Sequence, residues 1–115
     1  MFSWQITRLA DSLTTLSKDS EFQKGLFKNI SPTEEMGQDY GESWRFVKKY
    51  QLKDIPSNVV SICDKIDLIM SLYSGRDCDF WRIESLDGSE WTDIRKMARE
   101  ALFFFNENNA NQKFD

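Results

Sequence analysis

The residues able to do chemistry in this chain are few, and nearly all are carboxylates. The densest group is Asp77-Cys78-Asp79 followed by Glu84, Asp87 and Glu90. Carboxylates spaced in this way either gather around a hard divalent cation or present an acidic face to a basic partner. A second run, Glu34, Glu35, Asp39 and Glu42, contains no base. Glu34 and Glu35 follow Ser31-Pro32, and they read better as helix-start residues than as an acid/base pair, because carboxylates stabilise a first helical turn. There is no histidine. Ser–His–Asp and Cys–His nucleophilic sites, His-containing zinc sites and the usual neutral-pH general base are therefore all excluded. The two cysteines, Cys63 and Cys78, cannot form a four-cysteine zinc site. The five glycines are scattered without a phosphate-binding loop, and the 77–87 carboxylates do not match an EF-hand spacing. No catalytic residue, metal or cofactor is assigned, and the chain is not expected to be an enzyme.

The charge balance points the same way. Lys and Arg number 15 against 19 Asp and Glu, a net charge of −4. Residues 31–42 carry −4 and residues 76–93 carry −4, so the rest of the chain is slightly basic. Two acidic segments would steer a basic partner, although ordinary solvated helix starts give the same pattern. Small basic clusters at Lys48, Lys49 and Lys53 and at Arg95, Lys96 and Arg99 fall where helices favour positive charge, so direct nucleic-acid binding is not expected.

These side chains must be positioned by helices. At 115 residues the chain fits one domain, 1–115, and 14% aromatic content is far too high for a disordered segment. Phe2, Ile6, Leu9, Leu13 and Leu16 form one helical stripe, with Trp4 beside it. Asp19 or Ser20 caps a short helix carrying Phe22, Leu26 and Phe27 and ending near Asn29. Ser31-Pro32-Thr33-Glu34 reads as a capping box opening a helix with Met36, Tyr40, Trp44 and Val47 on one face. Gly37 and Gly41 weaken that helix, and Asp39 with Glu42 suggests a second start, hence a break near residues 37–40. After Ile55-Pro56, the wide apolar face from Val59 to Tyr73 predicts the central, most buried helix, stopped at Gly75. The last helix starts near Ser89 and buries Trp91, Ile94, Ala98, Ala101, Leu102 and Phe105, with Arg95 and Arg99 on its outer side. Residues 107–115 form a polar tail expected to fray. The expected fold is all-α: a single-domain bundle of about four to five helices, with an irregular acidic, aromatic linker before the last helix.

That linker bears the sharpest question. Trp91 belongs to the last helix's apolar stripe. If the linker is extended, Trp81 points away from Phe80 and stands at the surface among Asp77, Asp79, Glu84 and Asp87, the composition of a hot spot for a basic partner. The competing reading buries Trp81 like the other three tryptophans. No run approaches the ~20 apolar residues that span a bilayer, the first residues do not form a signal peptide, and two free thiols suit a reducing compartment. No membrane association is expected, and the chain is read as cytoplasmic.

The segment DCDFWRIESLDGSEWTDIRKMAREAL, in a small, acidic, aromatic-rich, cysteine-poor helical chain, resembles the bacterial immunity proteins that protect a cell against nuclease-type toxin domains, as in contact-dependent growth inhibition. The resemblance covers the whole chain in texture and carries no diagnostic motif. It implies a non-enzymatic inhibitor that binds a basic cognate toxin domain and covers its active site or locks it from outside. The contact surface would then be Asp77, Asp79, Trp81, Glu84, Asp87 and Glu90, with Glu34, Glu35, Asp39 and Glu42 as a second patch. Two other readings stand beside it. One is a regulatory or scaffold-forming helical subunit, phage- or plasmid-encoded, that binds a host protein or self-associates, with the Val59–Tyr73 face serving a homodimer. The other is a metal-dependent enzyme using the Asp77–Asp87 carboxylates.

Overall fold

A computed structural model describes residues 3–26 and 31–113, with side chains through Glu107. The expectations placed on Phe2, Phe27, Asn29 and the side chains of residues 108–115 lie outside the described residues. The architecture is all-α, with five helices among the described residues: α1 (Trp4–Ser17), α2 (Ser20–Lys24), α3 (Pro32–Tyr50), α4 (Ser57–Tyr73) and α5 (Ser89–Lys113). Short 3-10 turns lie at Leu52–Asp54, Asp79–Trp81 and Ile83–Asp87, and there is no strand among the described residues.

The apolar stripes dictate the packing. Ile6, Leu9, Leu13 and Leu16 of α1 are buried against α3 and α5, and α5 buries Trp91, Ile94, Ala98, Ala101 and Phe105 between α1 and α4. Each fully buried side chain of this size contributes on the order of 2 kcal/mol of transfer free energy. α3 presents Met36, Tyr40, Trp44 and Val47 inward. The bundle closes most sparsely between α3 and α4, whose early and late turns, respectively, flank an open cleft.

Several local expectations change. α3 runs without a break through residues 37–40. A Cβ on Gly37 would lie 2.7 Å from Cζ3 of Trp81, so this glycine provides room for an indole instead of ending the helix. The second start suggested by Asp39 and Glu42 does not form, because both carboxylates instead meet Arg8 of α1, at 3.1 and 3.3 Å. Ser31 makes no side-chain cap to α3; its hydroxyl reaches Trp81 O at 3.3 Å. Asp19 does cap α2, accepting from Phe22 N at 2.9 Å. Phe22 itself is exposed and Gln23 is buried. Trp4, expected to widen the apolar face, is 70% exposed. α4 is not the central helix: Leu68 and Leu72 on its outer face are 64% and 58% exposed, and α5 holds the middle position. Gly75 stops α4 with φ +73, the left-handed conformation glycine adopts without penalty. The backbone of α5 remains helical as far as Lys113, beyond the polar onset at residue 106.

Of the two arginines expected on the outer side of α5, Arg99 is exposed but Arg95 is not. Arg95 is 9% exposed. Its Nε donates to Lys18 O at 2.8 Å, and one terminal nitrogen donates to Gln23 Oε1 at 2.9 Å and Leu86 O at 3.0 Å. Arg99 Nε donates to Ser17 O at 2.9 Å, and Gln23 Nε2 donates to Thr15 O and Leu16 O at 3.0 and 3.1 Å. The carbonyls of Thr15, Leu16, Ser17 and Lys18 at the end of α1 thus all receive side-chain donors. They are the groups an α-helix leaves without intrahelical partners, and the two arginines oppose the negative end of its dipole.

Candidate protein-interaction surface

Residues 76–88 form the expected acidic, aromatic linker before α5, built around two 3-10 turns. Two 3-10 turns replace the extended path, so Phe80 and Trp81 do not point to opposite faces. Phe80 and Leu86 are buried. Phe80 stacks on Tyr73 and on Trp91, with ring centroids 4.4 and 4.9 Å apart. Donors meet the carbonyls of this stretch one after another. Trp91 Nε1 binds Phe80 O at 2.9 Å, Ser85 Oγ binds Phe80 O and Arg82 O at 2.6 and 2.7 Å, and Arg95 binds Leu86 O. The Thr33 hydroxyl donates to Trp81 O. Such mutual satisfaction holds a short non-repetitive segment in one shape.

Trp81 is half-buried. Its Nε1 donates to Tyr73 O at 2.7 Å, it packs edge-on to Phe80, and the rim of its six-membered ring lies against Gly37. It is therefore not a free-standing surface anchor; it is a wedge between α3 and the end of α4, with one part of its ring lining the cleft there.

The carboxylates around it sort into three settings. Asp77, Glu84 and Glu90 are exposed and form no ion pair among the described residues. Asp79, with a side chain 94% exposed, meets only Arg82, at 3.5 Å. Asp87 is tied to Lys24 of α2 at 2.6 Å. The hydrogen bond from Lys24 holds the Asp87 carboxyl below the ordinary carboxylate range, with Ser20 assisting.

The second predicted patch divides. Asp39 and Glu42 are bound to Arg8, and Glu42, which also accepts from Gln38 at 3.2 Å, is held more acidic by these partners. Glu35 and Asp39 border a small pocket with Ser12, Thr15 and Met36. Glu34 alone faces the α3–α4 cleft, where the structure brings it together with Trp81. Thus the two predicted patches meet only through this pair.

The Asp77–Asp87 carboxylates do not gather as a ligand set: among the described residues no group of three or more Asp, Glu, Cys or His could hold a metal ion. Both cysteines are free thiols, and burial pushes the Cys63 thiol up to about 12. No helix among the described residues is long and apolar enough to cross a membrane.

Sequence reasoning missed the cleft. Its signals were present: the i, i+3, i+7, i+11 spacing of Glu34, Gly37, Gly41 and Arg45 marks one face of α3, and two glycines leave that face bare. No family model, curated protein or solved structure matches this chain.

Proposed function

We propose that this protein is a non-enzymatic binding protein of the toxin-immunity type, which neutralises a basic protein partner by engaging it through the acidic face of residues 77–90. The observation that carries this reading is the contrast between the two sides of the segment. Beneath it, Phe80, Leu86 and Trp91 are buried and the carbonyls are bonded. Above it, Asp77, Asp79, Glu84 and Glu90 stand exposed with little internal neutralisation. A held, predominantly acidic surface, with Arg82 its one base, lowers the ordering cost of association and steers an oppositely charged partner. The cytoplasm is the compartment proposed for it.

The experiment is capture of a purified nuclease-type toxin domain of high pI by the tagged protein, with salt-gradient elution and a parallel assay of the toxin's activity. Stoichiometric, salt-sensitive binding that abolishes the toxin's activity is expected. The triple variant Asp77→Lys, Asp79→Lys, Glu84→Lys should lose binding with its melting temperature nearly unchanged. Equal affinity of the triple variant would sink the assignment of this face. Asp87 is left intact in that variant because its tie to Lys24 gives it a structural role.

A second reading has its own observation. Leu68 and Leu72 are exposed one turn apart on α4, as in a helical subunit that self-associates. A mass that rises with concentration would favour it over the inhibitor reading.

A further inference from the structure

We infer that the pocket between α1 and α3 takes a primary alkylammonium group, the head of a lysine side chain or of a free aliphatic amine. This site is independent of the function proposed for the 77–90 face.

The pocket holds about 220 Å³ and is lined by Ser12 and Thr15 of α1 and by Glu35, Met36 and Asp39 of α3. Ser12 is the first sign of a ligand. It is 4% exposed, yet its hydroxyl has no hydrogen-bond partner among the described residues. Thr14, Thr15 and Ser17 around it all bond back to carbonyls of α1. Among the described residues no fully enclosed side-chain oxygen or nitrogen lacks a partner, so the Ser12 hydroxyl opens onto the space it lines. A polar group this deep in a protein normally has a partner.

Charge selects the occupant. Two carboxylates line the pocket and no base does. Both are half-buried, and Glu35 forms no ion pair among the described residues. Arg8 meets Asp39 through Oδ1 alone, and the same guanidinium nitrogen is shared with Glu42. Three carboxylates thus stand against one guanidinium, and negative charge is left over. The helix ends nearby do not reverse that sign. Glu34 and Glu35 answer the first turn of α3, and the last carbonyls of α1 receive donors from Gln23, Arg95 and Arg99.

Size and lining separate an ammonium on a stem from a bare ion. The space is several times the ~30 Å³ of a water molecule. No group of three or more Asp, Glu, Cys or His among the described residues could hold a metal ion. Met36 gives an apolar wall on which methylenes can pack. An alkylammonium has three donors and no acceptor, and Glu35, Oδ2 of Asp39 and the Ser12 hydroxyl are an acceptor for each.

The test follows the Met36 ε-methyl and Thr15 γ-methyl resonances by ¹H–¹³C NMR at low ionic strength, with Met36 assigned through Met36→Leu. The probes are n-butylammonium, sodium, and tetramethylammonium, which carries the charge without an N–H donor. Saturable shifts at both methyls are expected with n-butylammonium and not with the other two. Glu35→Gln should weaken binding roughly tenfold, as loss of one charge-assisted contact implies. Ser12→Ala should weaken it in the same direction, and Glu35→Gln carries the test alone if Ser12→Ala does not fold. Spermidine and Nα-acetyl-lysine methylamide, titrated in parallel, separate the sources: tighter binding of the first supports a free polyamine, and of the second a lysine side chain. No saturable shift with n-butylammonium, an equal response to tetramethylammonium or sodium, or undiminished affinity in Glu35→Gln overturns the inference. Such a failure leaves toxin capture by the 77–90 face standing, and failed capture leaves the ammonium site in place.

Discussion

At the scale of single residues, burial separates groups that composition treats alike. Cys63 is buried on α4 and its thiol is pushed up to about 12, whereas Cys78 is partly accessible at the start of the acidic segment. The thiolate is the reactive species. Native alkylation with iodoacetamide should therefore modify Cys78 alone, with Cys63 reacting only after denaturation, as peptide mass mapping will show. Asp87 has a folded pKa below its unfolded value because Lys24 bonds to the carboxylate. Its contribution to stability is therefore present above about pH 4, the unfolded value, and is lost as pH falls through the folded one. In urea melts, wild type should lose more stability than Asp87→Asn between pH 5 and pH 3. Parallel curves would mean that the pair adds nothing. Arg95 is the least replaceable charge. Arg95→Met leaves Gln23 Oε1, Lys18 O and Leu86 O short of a donor, and should cost about 3 kcal/mol in chemical denaturation.

At the scale of elements, the glycines of α3 have a packing role. Alanine is the better helix former by about 1 kcal/mol, so Gly37→Ala would stabilise an isolated helix. In the folded chain the new methyl would meet Cζ3 and Cη2 of Trp81 at 2.7 and 2.9 Å, a ring held on its other sides by Tyr73 and Phe80. The substitution should therefore destabilise by about 1–3 kcal/mol and shift the Trp81 indole resonance. A more stable variant with an unmoved indole would show that the wedge is loosely held. The same locking explains why residues 76–88, with no regular helical stripe, keep one shape. Their carbonyls are bonded by side chains from α3 and α5, including Thr33, Trp91 and Arg95.

At the scale of the molecule, α5 is the common partner of α1 and α4, and the backbones of α3 and α4 approach one another least closely, bridged by Tyr40, Trp44 and Lys48. The exposed Asp77, Asp79 and Glu84 lie on the segment whose Trp81 fills part of that seam. A partner that bound there would gain both a charged face and a cleft with an aromatic wall. The exposed Leu68 and Leu72 give self-association a concrete measurement. Sedimentation across a hundredfold concentration range should show a monomer if the 77–90 face is the functional one, and a concentration-dependent dimer lost in Leu68→Gln, Leu72→Gln if α4 is.

The all-α class, the positions of the longer helices, the Asp19 cap, the Gly75 stop and the burial of Trp91 are legible in the residues alone. All of these follow from spacing at 3.6 residues per turn and from residues whose backbone preferences act locally. The acidic segments are legible too, because charge can be read directly from residue type. Chain packing is what makes Gly37 the space for Trp81, brings Arg95 and Arg99 to the end of α1, and gives Asp39 and Glu42 to Arg8. It likewise placed Glu34 and Trp81 at one cleft. Each of these depends on a partner between 31 and 82 positions away in the chain or on the opposite wall of the seam. Helical periodicity reports which face a residue occupies, but it carries no information about which other element that face will meet.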